Sequence, residues 1–229
     1  MRNTKKFDTK TIVGVAIFSA LAFVVALVCN IIPPVASFLS LDVKDAIISI
    51  AAFIYGPISA VLISFIAALI EFITFSTTGW YGFVMNFASS AVFSLTASLI
   101  YKKIRNINGA LISFFAAVVT TTCTMLLLNM FVTPLYLVGK FTKEEATAQV
   151  MDLLPKVLLP FNFAKALMNS AVAMLLYKPL SKALKKTGLS VSKSGDGSDA
   201  FKFNKNTVVI LSVGVAALAA AIAIILFIS

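Results

Sequence analysis

Residues 159–180 read LPFNFAKALMNSAVAMLLYKPL. The run is apolar enough for a membrane helix, yet its mouth holds a proline, an asparagine and a lysine. A charged residue at the centre of a membrane helix costs roughly 2.5–3.5 kcal/mol on insertion scales. Asn162 and Lys165 must therefore reach water or face a cavity that needs them. Positions three or four apart share a helix face, so Asn162, Lys165 and Asn169 form one polar stripe. Pro160 is expected to set the start of the helix.

The rest of the chain places that helix in a bundle. Of 229 residues, 60% are hydrophobic and 12% charged, with a mean hydropathy of +1.00. A soluble domain carries about a quarter charged residues, so this is a polytopic, all-α membrane protein. There is no histidine, which removes the usual proton shuttle and the Ser-His and Cys-His catalytic pairs. Cys29 and Cys123 stand in or beside apolar runs, with no metal-ligand spacing, and read as small core residues. The net charge of +10 is concentrated in three clusters: Arg2 to Lys10, Lys102 to Arg105, and Lys178 to Lys205. That is the signature of cytoplasmic loops, and no nucleic-acid partner is needed to explain it. The N-terminal stretch lacks the small-residue exit of a cleavable signal.

Apolar runs fall at 11–29, 43–55, 58–75, 83–101, 110–138 and 158–177. Breaks lie at Pro33-Pro34 and Gly56-Pro57, which cannot continue a helix. A mixed-charge stretch between the fifth and sixth runs reads as a short helix or ordered loop. The expected organisation is a basic cytoplasmic N-terminus at 1–10, a six-helix substrate-binding membrane domain at 11–186, a Ser/Gly/Lys-rich flexible linker at 187–206, and an additional transmembrane helix at 207–229. With the N-terminus cytoplasmic, all three basic clusters fall inside, provided that 43–55 crosses. Its thirteen residues reach only about 20 Å at 1.5 Å each, against a core of ~30 Å, so it must be buried among its neighbours.

In that topology Asn86, Asn129, Asn162 and Lys165 come from three helices at one outer depth. Carboxamides both donate and accept hydrogen bonds, which suits a neutral ligand with an amide-like edge. The alternative is a membrane scaffold in which these amides only join helices. Glu71 is expected near the outer rim of the third span, without an assigned partner. Trp80 and Tyr81 read as interfacial anchors. Ala16/Ala20 and Ala22/Ala26 are small pairs at i, i+4 that permit close helix approach, within the bundle or against a separate subunit. No nucleotide-binding Gly-rich loop, proton relay or inverted repeat is present, so any energy must come from a partner.

The segments LDVKD (41–45), FIYGP (53–57), MNF (85–87), LLNMFVTPLY (127–136) and LPFNFAKALMNSAVAMLLYKPL (159–180) resemble the S-components of energy-coupling factor (ECF) vitamin transporters, and most closely the riboflavin-specific ones. The resemblance covers about residues 10–186. It implies a six-helix bundle of the ECF S-component type, to which the C-terminal helix is an addition. It implies no enzymatic activity and no cofactor. It implies capture of riboflavin, with flavin mononucleotide (FMN) or another vitamin as alternatives, beneath a loop between the first two helices. Asn129, Asn162 and Lys165 match the flavin-contacting positions, Asn86 and Asp42 join the candidate substrate-binding set, and Ala16 and Ala20 match the face that docks on a transmembrane coupling subunit. Two cytosolic ATPases complete the implied complex in the cell membrane.

Overall fold

Two proline-bearing breaks shape the first half of the fold in the computed structural model, which describes residues 8–36, 38–104, 107–138, 141–186 and 205–228. Helix α1 (Thr9–Cys29) ends ahead of the Pro33-Pro34 pair. The following loop folds into a hook, closed by Val35 N–H to Leu39 O at 3.0 Å and Leu39 N–H to Val35 O at 2.9 Å. Helix α2 (Lys44–Tyr55) stops at Gly56, whose φ of 102° is open to glycine and strained for other residues. Pro57 then opens α3 (Pro57–Thr74), a position that gives up no helical hydrogen bond. Next come α4 (Gly79–Lys103), α5 (Ile107–Leu137) and α6 (Lys143–Leu153). α6 starts with a capping box, in which the Thr142 hydroxyl accepts from Glu145 N–H while the Glu145 carboxylate accepts from Thr142 N–H.

α6 does not end in a loop. A wide π turn, Leu154–Leu158, carries it into α7 (Leu159–Lys186). Pro160 therefore does not start the helix, as expected from sequence, but lies one residue past Leu159, whose N–H reaches back five residues to Leu154 O. A proline without an N–H is tolerated where the ladder has already shifted. The last helix is α8 (Lys205–Ile228). Most of the basic N-terminus (1–7) and of the expected linker (187–204) lies outside the described residues.

By length and composition, α1, α3, α4, α5 and the continuous run Lys143–Tyr177 can cross a membrane. α2 has 12 residues, about 18 Å at 1.5 Å per residue, and cannot span alone. It solves that problem by sitting at the centre, in contact with α1, α3, α4 and α7. Ala46, Ile48, Ile50 and Ala51 are wholly buried, and Ala22, Ala67, Ala97 and Ala173 across from them let the outer helices close in. Ser49 on α2 donates to Ser94 on α4 at 3.1 Å. At the foot of α2, the Phe53 ring stacks on Tyr101 with centroids 4.2 Å apart and tilts against Phe114.

α8 lies along α7. Ala221 and Ile225 turn inward, while Leu226 and Phe227 face out. Lipid tails are as apolar as the side chains α8 would vacate, so removing a peripheral helix costs little hydrophobic energy. Deleting residues 190–229 is expected to leave the thermal unfolding transition in detergent and ligand binding close to those of the full chain. A truncated protein that no longer binds would place α8 in the core.

Candidate functional site

One end of the bundle gathers the loop after α1, the start of α2, the end of α3, the start of α4, the end of α5 and the start of α7. A cleft opens there, with about 700 Å³ of empty space counted out to its mouth. α4 contributes Tyr81, Met85, Asn86 and Ser89; α5 contributes Met125, Asn129, Val132, Thr133 and Tyr136; α7 contributes Phe161, Asn162 and Lys165. Phe38, Leu39 and Ser40 of the hooked loop cover one side. The loop is held down because Val35 and Leu39 pack with Ala146 and Val150 of α6 and with Leu158 and Phe161.

Four of the residues singled out in the sequence thus line one cavity: Asn86, Asn129, Asn162 and Lys165. Asp42 does not line it. Its carboxylate sits behind Lys165, accepting from Nζ at 2.7 Å, and Lys165 also donates to Ser40 O at 3.3 Å. Burial alone would raise the Asp42 carboxyl, but the Lys165 and Lys44 ammoniums outweigh it and hold it down to about 2. Asn169, third in the polar stripe, has a different task. Its Oδ1 accepts from Ala46 N–H at 2.9 Å, and its Nδ2 donates to Asp42 O at 3.0 Å. Ala46 is the third residue of α2, and the residue at the N-cap, Val43, supplies no side-chain bond. Asn169 therefore caps α2 from α7, satisfying one of the first-turn N–H groups that a helix leaves free.

Glu71 differs from the sequence expectation. It is not at the rim but 3% exposed, accepting from Lys44 Nζ at 2.8 Å and from Asn86 Nδ2 at 3.2 Å. Lys44 is 1% exposed and also stands 3.6 Å from Asp42. The pairing joins residues 27 positions apart, and the one hint in the sequence is that two opposite charges occupy apolar helices. Asp45, also buried, accepts from the Ser90 hydroxyl of α4. Tyr81, read as an interfacial anchor, instead lines the cleft beside Tyr136 at 6.2 Å between centroids. Trp80 faces outward, packed on Phe72. Of the small pairs on α1, Ala22 and Ala26 are buried in the bundle, whereas Ala16 and Ala20 are exposed on the outer face. Among the described residues no cluster of His, Cys, Asp and Glu is arranged to hold a metal ion.

A bundle of membrane helices around a polar-lined cleft at one end, capped by the first loop, is the architecture of a binding subunit. Residues 10–177 match the family model "ECF transporter, substrate-specific component", and the chain belongs to that family. Its members are transporter components. The chain is 30% identical over 181 residues to the riboflavin transporter RibU of Staphylococcus aureus, covering 78% of this chain and 94% of the relative. It is 25% identical over 171 residues to the riboflavin transporter FmnP of Bacillus subtilis, covering 73% and 90%. A solved S component of a bacterial ECF transporter superposes with a TM-score of 0.62 at 28% identity, covering 77% of this chain and 98% of that one. α8 lies beyond the residues that the family model matches.

Replacing Asn169 with Leu removes the cap on α2, leaves Ala46 N–H with only its 3.3 Å bond to Val43 O, and takes away the donor to the buried Asp42 O. Buried unsatisfied groups cost about 1–3 kcal/mol each, so a clear drop in the unfolding temperature in detergent is expected. The measurement is a thermal melt followed by tryptophan or circular-dichroism signal.

Proposed function

We propose that this protein captures riboflavin from outside the cell and delivers it to an ATP-driven ECF complex. The observation that carries the reading is the convergence of Asn86, Asn129, Asn162 and Lys165, from three helices, on one cleft at the end of the bundle opposite the basic clusters. Basic clusters favour the cytoplasm, so the N-terminus is cytoplasmic and the cleft opens outward. Residues 11–186 act as the binding unit and 187–206 as a linker to α8. The relatives named as riboflavin transporters support the choice of ligand.

The chemistry fits. An isoalloxazine is a flat, largely apolar ring system with a polar pyrimidine-dione edge. Met85, Met125, Val132, Tyr136 and Phe161 supply walls for the slab. Asn129 and Asn162 meet the polar edge, and Lys165 has an N–H left for a ring carbonyl after its bonds to Asp42 and Ser40. Asp42 serves behind Lys165, fixing the ammonium rather than touching the ligand. Lys165 is the one cation lining the cleft among the described residues, and its charge is already matched by Asp42. That favours uncharged riboflavin over FMN.

Purified protein is expected to carry a yellow chromophore or to quench added riboflavin fluorescence. Asn162→Ala and Lys165→Ala should each weaken binding about tenfold or more, the loss expected for a buried hydrogen bond to a polar or charged group. A folded, colourless protein without flavin affinity at micromolar concentration overturns the reading and leaves the amides as joints between helices.

Energy must come from elsewhere, so a transmembrane coupling subunit and two cytosolic ATPases are the expected partners. Ala16 and Ala20 form the outward small-residue face on α1 along which a coupling helix can approach closely. Ala16→Leu with Ala20→Leu should leave flavin binding unchanged and sharply reduce uptake in cells that contain the complete complex. Equal uptake by the variant would exclude this face.

A further inference from the structure

Each asparagine in the cleft has its amide nitrogen tied to the protein. Asn162 Nδ2 donates to Leu158 O at 2.7 Å, Asn129 Nδ2 to Met125 O at 2.7 Å, and Asn86 Nδ2 to Glu71 Oε2 at 3.2 Å. A carbonyl or ionised carboxylate oxygen only accepts, so the amide end it meets is the N–H₂, and these partners decide which end of each amide faces the ligand. Asn129 Oδ1 is also engaged, accepting from Thr133 Oγ1 at 2.8 Å. Among the described residues Asn86 Oδ1 accepts no such bond and remains for the cleft.

What fixes Asn86 lies behind the wall. Glu71 is the acceptor that turns the amide, and Lys44 donates to the same oxygen at 2.8 Å, in a place where an unpaired carboxylate would be costly. Neither residue lines the cleft. Asp42 continues the chain, 3.6 Å from Lys44 and 2.7 Å from Lys165. The wall on α4 and the lysine on α7 are thus set by one buried string of charges running past the start of α2.

We infer that the Lys44–Glu71 pair is a positioning device that locks Asn86 with its oxygen toward the ligand, making this wall a selector for a hydrogen-bond donor. The inference rests on the flavin reading above and deepens it. A flavin carries such donors in two places, the ring imide N–H and the hydroxyls of the sugar-alcohol chain. An analogue that lacks the donor facing Asn86 leaves a desolvated oxygen without a partner and is rejected, because an unmade buried hydrogen bond costs more than a made one contributes.

Three ligands separate the two sources: riboflavin, lumiflavin, which keeps the imide N–H and lacks the hydroxyl chain, and 3-methylriboflavin, which keeps the chain and lacks the N–H. Fluorescence quenching or calorimetry on purified protein measures all three. The native protein should prefer riboflavin over both analogues. Asn86→Leu, the same branched shape without the polar atoms, should cut the preference over one analogue by about tenfold, the worth of one buried hydrogen bond, and leave the other preference intact. The double variant Lys44→Met/Glu71→Leu removes both charges together, which proteins tolerate better than removing one. It should reproduce the same selective loss, and adding Asn86→Leu to it should change nothing further. Glu71→Gln keeps an oxygen for Asn86 and Lys44 and should retain native selectivity.

Equal weakening of all three ligands by Asn86→Leu overturns the inference, as does native selectivity in the double variant, or a native protein that binds the three alike. A native protein that binds none of them rejects the flavin reading itself.

Discussion

The buried carboxylate of Asp42 is the point on which the ligand-facing end of this bundle depends. It lies between two ammonium groups, Lys165 of α7 at 2.7 Å and Lys44 of α2 at 3.6 Å. Without it Lys165 would be an uncompensated charge among apolar helices and Lys44 would keep only Glu71 at 2.8 Å, and breaking such a pair from one side is far more damaging than its net contribution suggests. Because Asp42 belongs to the loop and its partners to two helices, one group ties the cover of the cleft to its wall and to the central helix.

The small residues explain why a short helix can sit there at all. α2 is surrounded on four sides, and its neighbours present alanine and serine where they meet it. Close approach of this kind replaces the hydrophobic driving force that lipid does not supply. The polar atoms on α2 are matched as tightly as the apolar ones: Ser49 with Ser94, Asp45 with Ser90, Ala46 N–H with Asn169. A half-satisfied network would loosen the centre, and this one holds α2 against α4 and α7 at the depth where the cleft begins.

Much of this is visible in the amino-acid order, and for a physical reason. In a bilayer a polar side chain is conspicuous, so Asn129, Asn162 and Lys165 stand out against the apolar runs that carry them. The breaks at Pro33-Pro34 and Gly56-Pro57 are equally plain, since a proline pair and a glycine at φ 102° each interrupt the helical ladder. What stays hidden depends on rotation and tilt. Lys44 and Glu71 look like isolated charges until α2 turns one toward the other. Tyr81 satisfies an interfacial position and a cleft wall equally well by composition. Asn169 shares a face with Lys165, yet one turn of helix moves it from the cavity to the end of α2. The π turn at Leu154–Leu158 leaves no periodic trace, so Pro160 looks like a beginning when it lies just inside a helix already under way.

The cap that Asn169 places on Ala46 spans 123 residues of chain. α2 leaves the ribosome long before α7 does, when neither Lys165 nor Asn169 has yet been made to meet Asp42 and the Ala46 N–H. The centre of the bundle therefore cannot be finished in the order of synthesis. The innermost helix gains its cap, and Asp42 its nearest cation, only once the polar stripe of the seventh helix has been made.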